Sequence, residues 1–315
     1  MPRRAAAPAS ERARRSMRLI VVSGLSGAGK SVALNALEDT GFYCIDNMPA
    51  AMLAPFISHT VRNGDPAYQR TAIGLDARNT EAEISSVPAM IEELKRSGIR
   101  CEVLFLLASD DELLRRFAET RRRHPLSREG MALREAIALE RRVLEPMVYA
   151  ADLVLDTSRM GIHELRELVV RRLEQRSAGQ LSVSFVSFGF KHGLPGDADF
   201  VFDARTLPNP YWDTALRGLT GRDEAVIRYL DAQPSVRRLI DDFAAFIATR
   251  ASEHRAANRR YLTFAIGCTG GQHRSVYIVE RLAERFAAEL PGLLVRHNAL
   301  QITVTAATPS SASRP

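Results

Sequence analysis

The chain has 315 residues, of which 46% are hydrophobic and 25% charged, with three cysteines and a formal net charge of +6. That length suits two domains whose cores need no staples, and Cys44, Cys101 and Cys268 lie too far apart for a disulfide framework or a paired metal-ligand spacing. No apolar run approaches the roughly 20 residues of a membrane span, and the N-terminus lacks the apolar stretch of a secretory leader, so the expected location is cytoplasmic with no membrane partner.

Residues 1–16 carry Arg3, Arg4, Arg12, Arg14 and Arg15 against Glu11 alone. Taking these away from the 43 basic and 37 acidic side chains leaves 38 and 36, a net of +2. The basic excess therefore belongs to an Ala/Arg/Pro-rich stretch, read as a disordered tail, and weakens a nucleic-acid reading of the charge. From Arg18 onward, short apolar strands alternate with helical segments. Strands are expected at 19–23, 42–45, 71–75, 103–107 and 153–155. Helices are expected from Lys30 to about Asp39 and at 51–62, 79–97, 110–123, 131–145 and 161–176. This alternation predicts a parallel sheet covered by helices, with ligands at the carboxyl ends of the strands. A polar, glycine-containing break at 175–181 opens a second region. It has a strand at 181–187 that alternates apolar and polar, a long Gly/Pro/Asp-rich stretch at 188–213, and helices at 222–231 and 234–256. A buried strand at 261–267, a helix at 274–290 and a short strand near 293–296 follow. Residues 300–315 read as a disordered tail.

The strongest motif is Gly24-Leu25-Ser26-Gly27-Ala28-Gly29-Lys30-Ser31, a phosphate-binding loop between a buried strand and a helix. Glycines let several backbone N–H groups converge on one phosphate, and the helix adds its own unpaired N–H groups. Lys30, the residue read as catalytic, reaches the β- and γ-phosphates, and the Ser31 hydroxyl ligates Mg²⁺. A second acid usually holds the Mg²⁺ water shell from a neighbouring strand end. The 103–107 strand ends without one, so Asp46 is the candidate, with a plain turn role in Asp46-Asn47-Met48-Pro49 equally open. Arg115, Arg116, Arg121, Arg122, Arg123 and His124 form a basic cluster, readable as a lid closing on phosphates or as a solvated helix end.

A second glycine turn, Gly267 to Ser275, contains Cys268, Thr269, Gly270, Gly271, His273 and Arg274. Strand, turn and helix again make an anion site. The Cys-x₅-Arg spacing also matches cysteine-dependent phosphatases, with Asp199 or Asp203 as the acid, but a non-catalytic phosphate-ester pocket is the preferred reading. The segments 188–193 and 203–213 are the loops expected to flank it.

Together these residues resemble one family, the RapZ (YvcJ-like) P-loop nucleotide-binding proteins of bacteria, from Met17 to about His297. The matching runs include 24–31, Gly41 to Pro49, Asp76-Ala77-Arg78-Asn79, Thr120 to Leu126, Ser187 to Gly193, Leu207 to Trp212 and Ile266 to Tyr277. The resemblance implies ATP and GTP binding with weak hydrolysis, a kinase-like N-terminal domain, a phosphosugar-sensing C-terminal domain and a homo-oligomer. It assigns Asp76, Ala77, Arg78 and Asn79 to GTP recognition, and the Cys268–Gly271 turn with Arg274 to a phosphosugar such as glucosamine-6-phosphate. In enterobacterial members the protein presents small RNAs to a ribonuclease. Three departures stand out. Leu107 occupies a position where relatives often carry Asp, Tyr211 replaces a histidine, and His297-Asn298 with a neutral tail replaces a basic C-terminal end.

The expected fold is therefore α/β: an N-terminal P-loop kinase-like parallel sheet with helices on both faces at 17–178, and a second α/β domain at 179–299. The expected function is a regulatory ATP- and GTP-binding protein that senses a phosphosugar and takes small RNA as a further partner. A P-loop small-molecule kinase is the alternative.

Overall fold

The β-branched run after Met17 forms β1 (Arg18–Gly24), and Leu19, Ile20, Val21 and Val22 have no exposed surface, as a strand covered on both faces requires. Residues 17–63, 65–174 and 180–300 are described by this computed structural model. The stretches 1–16 and 301–315, read above as tails, lie outside the described residues, as does most of the break at 175–181. The chain divides into two compact units, Met1–Glu174 and Gln175–Pro315.

In the first unit β1 leads to α1 (Lys30–Glu38), β2 (Tyr43–Ile45), α2 (Leu53–Asn63), β3 (Arg70–Gly74) and α3 (Glu81–Arg96). Then come β4 (Arg100–Leu107), α4 (Asp110–Thr120), α5 (Leu133–Tyr149), β5 (Leu153–Asp156) and α6 (Ile162–Leu173). The five strands are parallel in the order β2-β3-β1-β4-β5, with helices on both faces. The central strand therefore ends between β3 and β4, where crossovers reverse direction and a crevice opens. Helix starts are set by local chemistry. Thr80 and Glu83 form a capping box at α3, and Ser109 accepts the Glu112 N–H at α4. At the amino ends of β1 and β3 Glu174 pairs with Arg18 and Arg70, and both guanidinium groups lie over the Phe42 ring.

The second unit runs β6 (Ser182–Gly189), β7 (Phe200–Asp203), α7 (Glu224–Asp231), α8 (Pro234–Ala256), β8 (Tyr261–Cys268), α9 (Arg274–Phe286) and β9 (Leu294–His297). Its strands are also parallel, in the order β7-β8-β6-β9. One expectation is met and one is corrected here. The strand expected at 181–187 is β6, but its alternation does not mark an exposed face, since every residue including Ser182, Ser184 and Ser187 is buried. The stretch 188–213 is not all loop, since it contains β7. Four residues at a sheet edge give little local signal. What holds them is tertiary: Phe200 and Phe202 stack on Phe264 with ring centroids at 5.4 and 6.0 Å, and Phe202 stacks on Phe243 at 4.3 Å.

Phe264 has no exposed surface and carries this edge strand. Phe264→Ala is expected to lower the stability of the second unit by about 3–5 kcal/mol, measured by urea denaturation of the full chain.

Candidate functional site

The turn after β1 needs glycine for steric reasons. Gly24, Gly27 and Gly29 have φ values of 145°, 88° and 105°, a region that side-chain-bearing residues rarely enter. A Cβ on Gly24 would overlap the carbonyl of Leu106 on β4, and that same carbonyl accepts the Leu25 N–H at 3.0 Å. The loop is thus pressed against the neighbouring strand. α1 begins with no side-chain cap at Gly29, so its first N–H groups remain for an anion. Lys30 folds back over the loop and donates from Nζ to the Gly24 carbonyl at 2.8 Å. Ser31 is exposed on the first turn of α1.

Three carboxylates surround that ammonium. Burial pulls the Lys30 pKa below its ordinary value, and Glu140, Asp76 and Asp46 each draw it back up. Asp46 follows β2, with Gly74 leaving it room, since a Cβ there would stand 2.7 Å from Asp46 Oδ1. Asp46 also accepts the Asn47 N–H at 2.8 Å, so it closes its own turn while facing Lys30. Asp76 is the acid at the end of β3, the strand beside β1, and is only 3% exposed. It accepts the Arg78 N–H at 3.0 Å and pairs with the Arg78 guanidinium at 3.2 Å. Asn79 is a bracket: its Oδ1 accepts the Ala50 N–H at 2.6 Å, and its Nδ2 donates to the Asp76 carbonyl at 3.1 Å. Of the segment 76–79, Ala77 is buried and the Arg78 side chain is the most open part.

The basic cluster separates into distinct parts. Arg115 pairs with Glu112 and Glu119 on its own helix, the solvated helix-end arrangement. Arg116 reaches inward and donates to the Gly27 carbonyl at 2.9 Å and to the Thr157 carbonyl at 2.6 Å. Thr157 in turn donates to the Ala28 carbonyl at 2.9 Å. Arg121, Arg122 and Arg123 are exposed, and His124 is buried. A cavity of about 500 Å³ adjoins the loop, lined by Gly27, Gly29, Val32, Arg116, Met160 and Leu165 among others.

One participant escaped the sequence reading altogether. Glu140 on α5 is fully buried, and its carboxylate accepts the Ser26 N–H at 2.9 Å and the Ser26 hydroxyl at 2.6 Å. A signal was available. Ala136, Ile137, Val143, Leu144 and Met147 make the buried stripe of α5 at helical spacing, and Glu140 is the acid within that stripe.

In the second unit the glycine turn links β8 to α9, with Gly271 at a φ of 78°. Its functional candidates are engaged inside the fold. Cys268 is 3% exposed, its sulfur accepting the Gly271 N–H at 3.2 Å and lying 3.2 Å from Ser275 Oγ. Arg274 donates to the carbonyls of Arg205 and Leu207, each at 2.9 Å, and to Thr269 Oγ1 at 3.3 Å. His273 donates to the Leu216 carbonyl at 3.1 Å, and burial pushes its pKa down. A cysteine phosphatase needs thiolate and guanidinium facing one phosphate. Here Nη1 of the guanidinium faces carbonyls, and both proposed acids are engaged, Asp203 with Arg205 at 2.7 Å and Asp199 with the Thr263 N–H at 2.7 Å, so that alternative is set aside. Outward from the turn stand exposed Thr269 and half-buried Gly270. A Cβ on Gly270 would lie 3.9 Å from Lys191 Nζ.

Because Gly24 abuts strand backbone rather than a movable side chain, Gly24→Ala is expected to cost about 1–3 kcal/mol through overpacking and backbone strain. Urea denaturation followed in the N-terminal unit measures it.

Comparison with known proteins covers nearly all of the described chain. The model of the RapZ-like N-terminal domain matches residues 17–177, and that of the RapZ C-terminal domain matches 181–301. A nucleotide-binding protein of Alkalilimnicola ehrlichii is 53% identical over 286 residues, 91% of this chain and 99% of that protein. A nucleotide-binding protein of Methylococcus capsulatus is 49% identical over 284 residues, 90% of this chain and 96% of that protein. Among solved structures, shikimate kinase from Bacteroides thetaiotaomicron overlays 50% of this chain and 97% of its own at 17% identity and a TM-score of 0.34. With both halves matched in order and the relatives aligned almost end to end, the chain belongs to the RapZ-like family.

Proposed function

We propose that the N-terminal unit binds a nucleoside triphosphate, ATP or GTP, and hydrolyses it slowly as a regulatory signal. The observation that carries this reading is Lys30 Nζ folded 2.8 Å from the Gly24 carbonyl, inside a loop whose uncapped helix start offers N–H donors. The names of its relatives, nucleotide-binding proteins, agree with it. The cavity beside Gly27 and Gly29, floored by Val32, Met160 and Leu165 with Arg116 on its wall, has the apolar and cationic character a purine base takes up.

The donor set suits Mg²⁺. That ion keeps several waters and takes one or two carboxylates beside the phosphates, and Ser31 with Asp76 and Asp46 supplies such a set around Lys30. Mg²⁺ contributes charge neutralisation on the phosphate oxygens. Slow hydrolysis agrees with carboxylates that are already engaged. Glu140 has both oxygens occupied by Ser26 and His124, Asp76 is paired with Arg78, and Asp46 is assigned here to the Mg²⁺ shell, which leaves none of the three to activate a water.

A second site, for a phosphate ester such as a hexosamine phosphate, is favoured by Lys191 standing over the Gly270 turn. Transfer of the γ-phosphate from labelled ATP to a small acceptor would instead mark the chain as a kinase. RNA crosslinked in cells and sequenced tests the RNA-adaptor role implied by the family.

Lys30→Ala is expected to weaken triphosphate binding by about 1.5–3 kcal/mol, roughly 10- to 150-fold, with the fold retained. Calorimetry with ATP and GTP reads it, and an affinity equal to the parent's would remove the site. Lys191→Ala is expected to weaken a hexosamine phosphate by about 1.5–3 kcal/mol and to leave triphosphate affinity in place; a matching pair of isotherms would rule out the second site.

A further inference from the structure

We infer that Glu140 is a positioning residue that ties the phosphate loop to the Arg121–Arg123 segment through Ser26 and His124, so that loading the loop changes how that segment is held. The inference rests on the triphosphate reading above and adds to it a mechanical link between two parts of one site.

A fully buried carboxylate is rare unless its charge is matched by donors. Glu140 has three of them on two oxygens: Ser26 N–H at 2.9 Å, Ser26 Oγ–H at 2.6 Å and His124 Nε2 at 3.1 Å. The histidine tautomer follows from its second bond. His124 Nδ1 accepts the Leu126 N–H at 3.2 Å, so the ring proton sits on Nε2 and is donated to Glu140. The same ring packs on Phe117, with centroids 5.3 Å apart. His124 is thereby fastened on two sides. Burial alone would raise the Glu140 pKa, but the bonds from His124 and Ser26 and the charge of Lys30 outweigh it and hold the group ionised.

The three exposed arginines lie between two fixed points. On one side α4 ends at Arg121, which takes a left-handed φ of 52°. On the other, His124 is held by Glu140. A polyphosphate entering the loop brings negative charge to Lys30 and therefore close to Glu140, which attracts the same ammonium. Two anions then compete for one cation in a poorly hydrated place, where their repulsion is weakly screened. Glu140 is held by its bonds to Ser26 and His124, so a push on it is carried along that chain, and the residues joined to its far end are Arg121–Arg123. Loading and the arginine segment are coupled for this reason, and Glu140 does not itself touch the nucleotide.

The test uses the full chain and limited trypsin digestion, with cleavage after Arg121, Arg122 and Arg123 followed by mass spectrometry. Each protein is digested alone and with Mg²⁺ and a non-hydrolysable ATP analogue at a concentration saturating for that protein. The unaltered chain is expected to change its cleavage rate there by about 5-fold or more on loading, the lower end of ordinary coupling. Glu140→Gln and His124→Ala are expected to lose that change, and His124→Gln, which keeps a donor toward Glu140, to restore it. Should Glu140→Gln not fold, the two His124 variants decide the matter from the other end of the chain. Loading-dependent cleavage that survives in His124→Ala, or saturation of the unaltered chain with no change at these arginines, overturns the inference and leaves nucleotide binding standing. A chain that binds no analogue at all overturns the nucleotide reading instead.

Discussion

Everything in the N-terminal site depends on how closely the end of β1 approaches β4. In a parallel sheet the strand ends collect at one edge, and the central strand can turn sharply there only if its last residue has no Cβ. Gly24 meets that condition against the Leu106 carbonyl. Once the chain turns at that point, the loop is held by backbone bonds to β4, the first N–H groups of α1 point across it, and Lys30 is short enough a reach away to close over its own Gly24 carbonyl. The apolar run of β1 and the glycine spacing are thus two parts of one steric solution.

The electrostatics follow from that geometry. A lysine folded into a dry loop loses hydration, which favours its neutral form. Carboxylates from three directions, Glu140 on α5, Asp76 after β3 and Asp46 after β2, counter this. None is placed there at no cost, since each must be desolvated and matched. Asp76 is matched by Arg78 and Glu140 by Ser26 and His124. The acid next to β1 comes from β3 rather than from β4, whose last residue is Leu107. With Leu107 ending β4, the loop has its acidic neighbour on the β3 side.

The second unit repeats the strand–turn–helix outline with a different use of its side chains. Arg274 and Cys268 look like a reactive pair on paper, yet Nη1 of the guanidinium holds the carbonyls of Arg205 and Leu207, and the thiol holds Gly271. These bonds build the walls of a turn whose outer face is left to Thr269, Gly270 and Lys191.

The linear chain by itself determined the α/β class, the order of most elements and the phosphate loop. Those depend on short-range facts: β-branched runs, glycine spacing, and the alternation of strand and helix patterns along the chain. The helix expected at about 234–256 is α8, Pro234–Ala256, and proline at its first position is a local signal. Only the tertiary structure decided the rest. β7 exists because Phe200 and Phe202 find Phe264 and Phe243, and Ser182, Ser184 and Ser187 of β6 are buried although polar. The basic cluster divides into helix-bound, inward and exposed members according to which acids and carbonyls lie opposite. Glu140 acquires its place 114 residues from Ser26, a separation that no spacing rule encodes, because which donors meet a buried charge is settled by packing and not by distance along the chain.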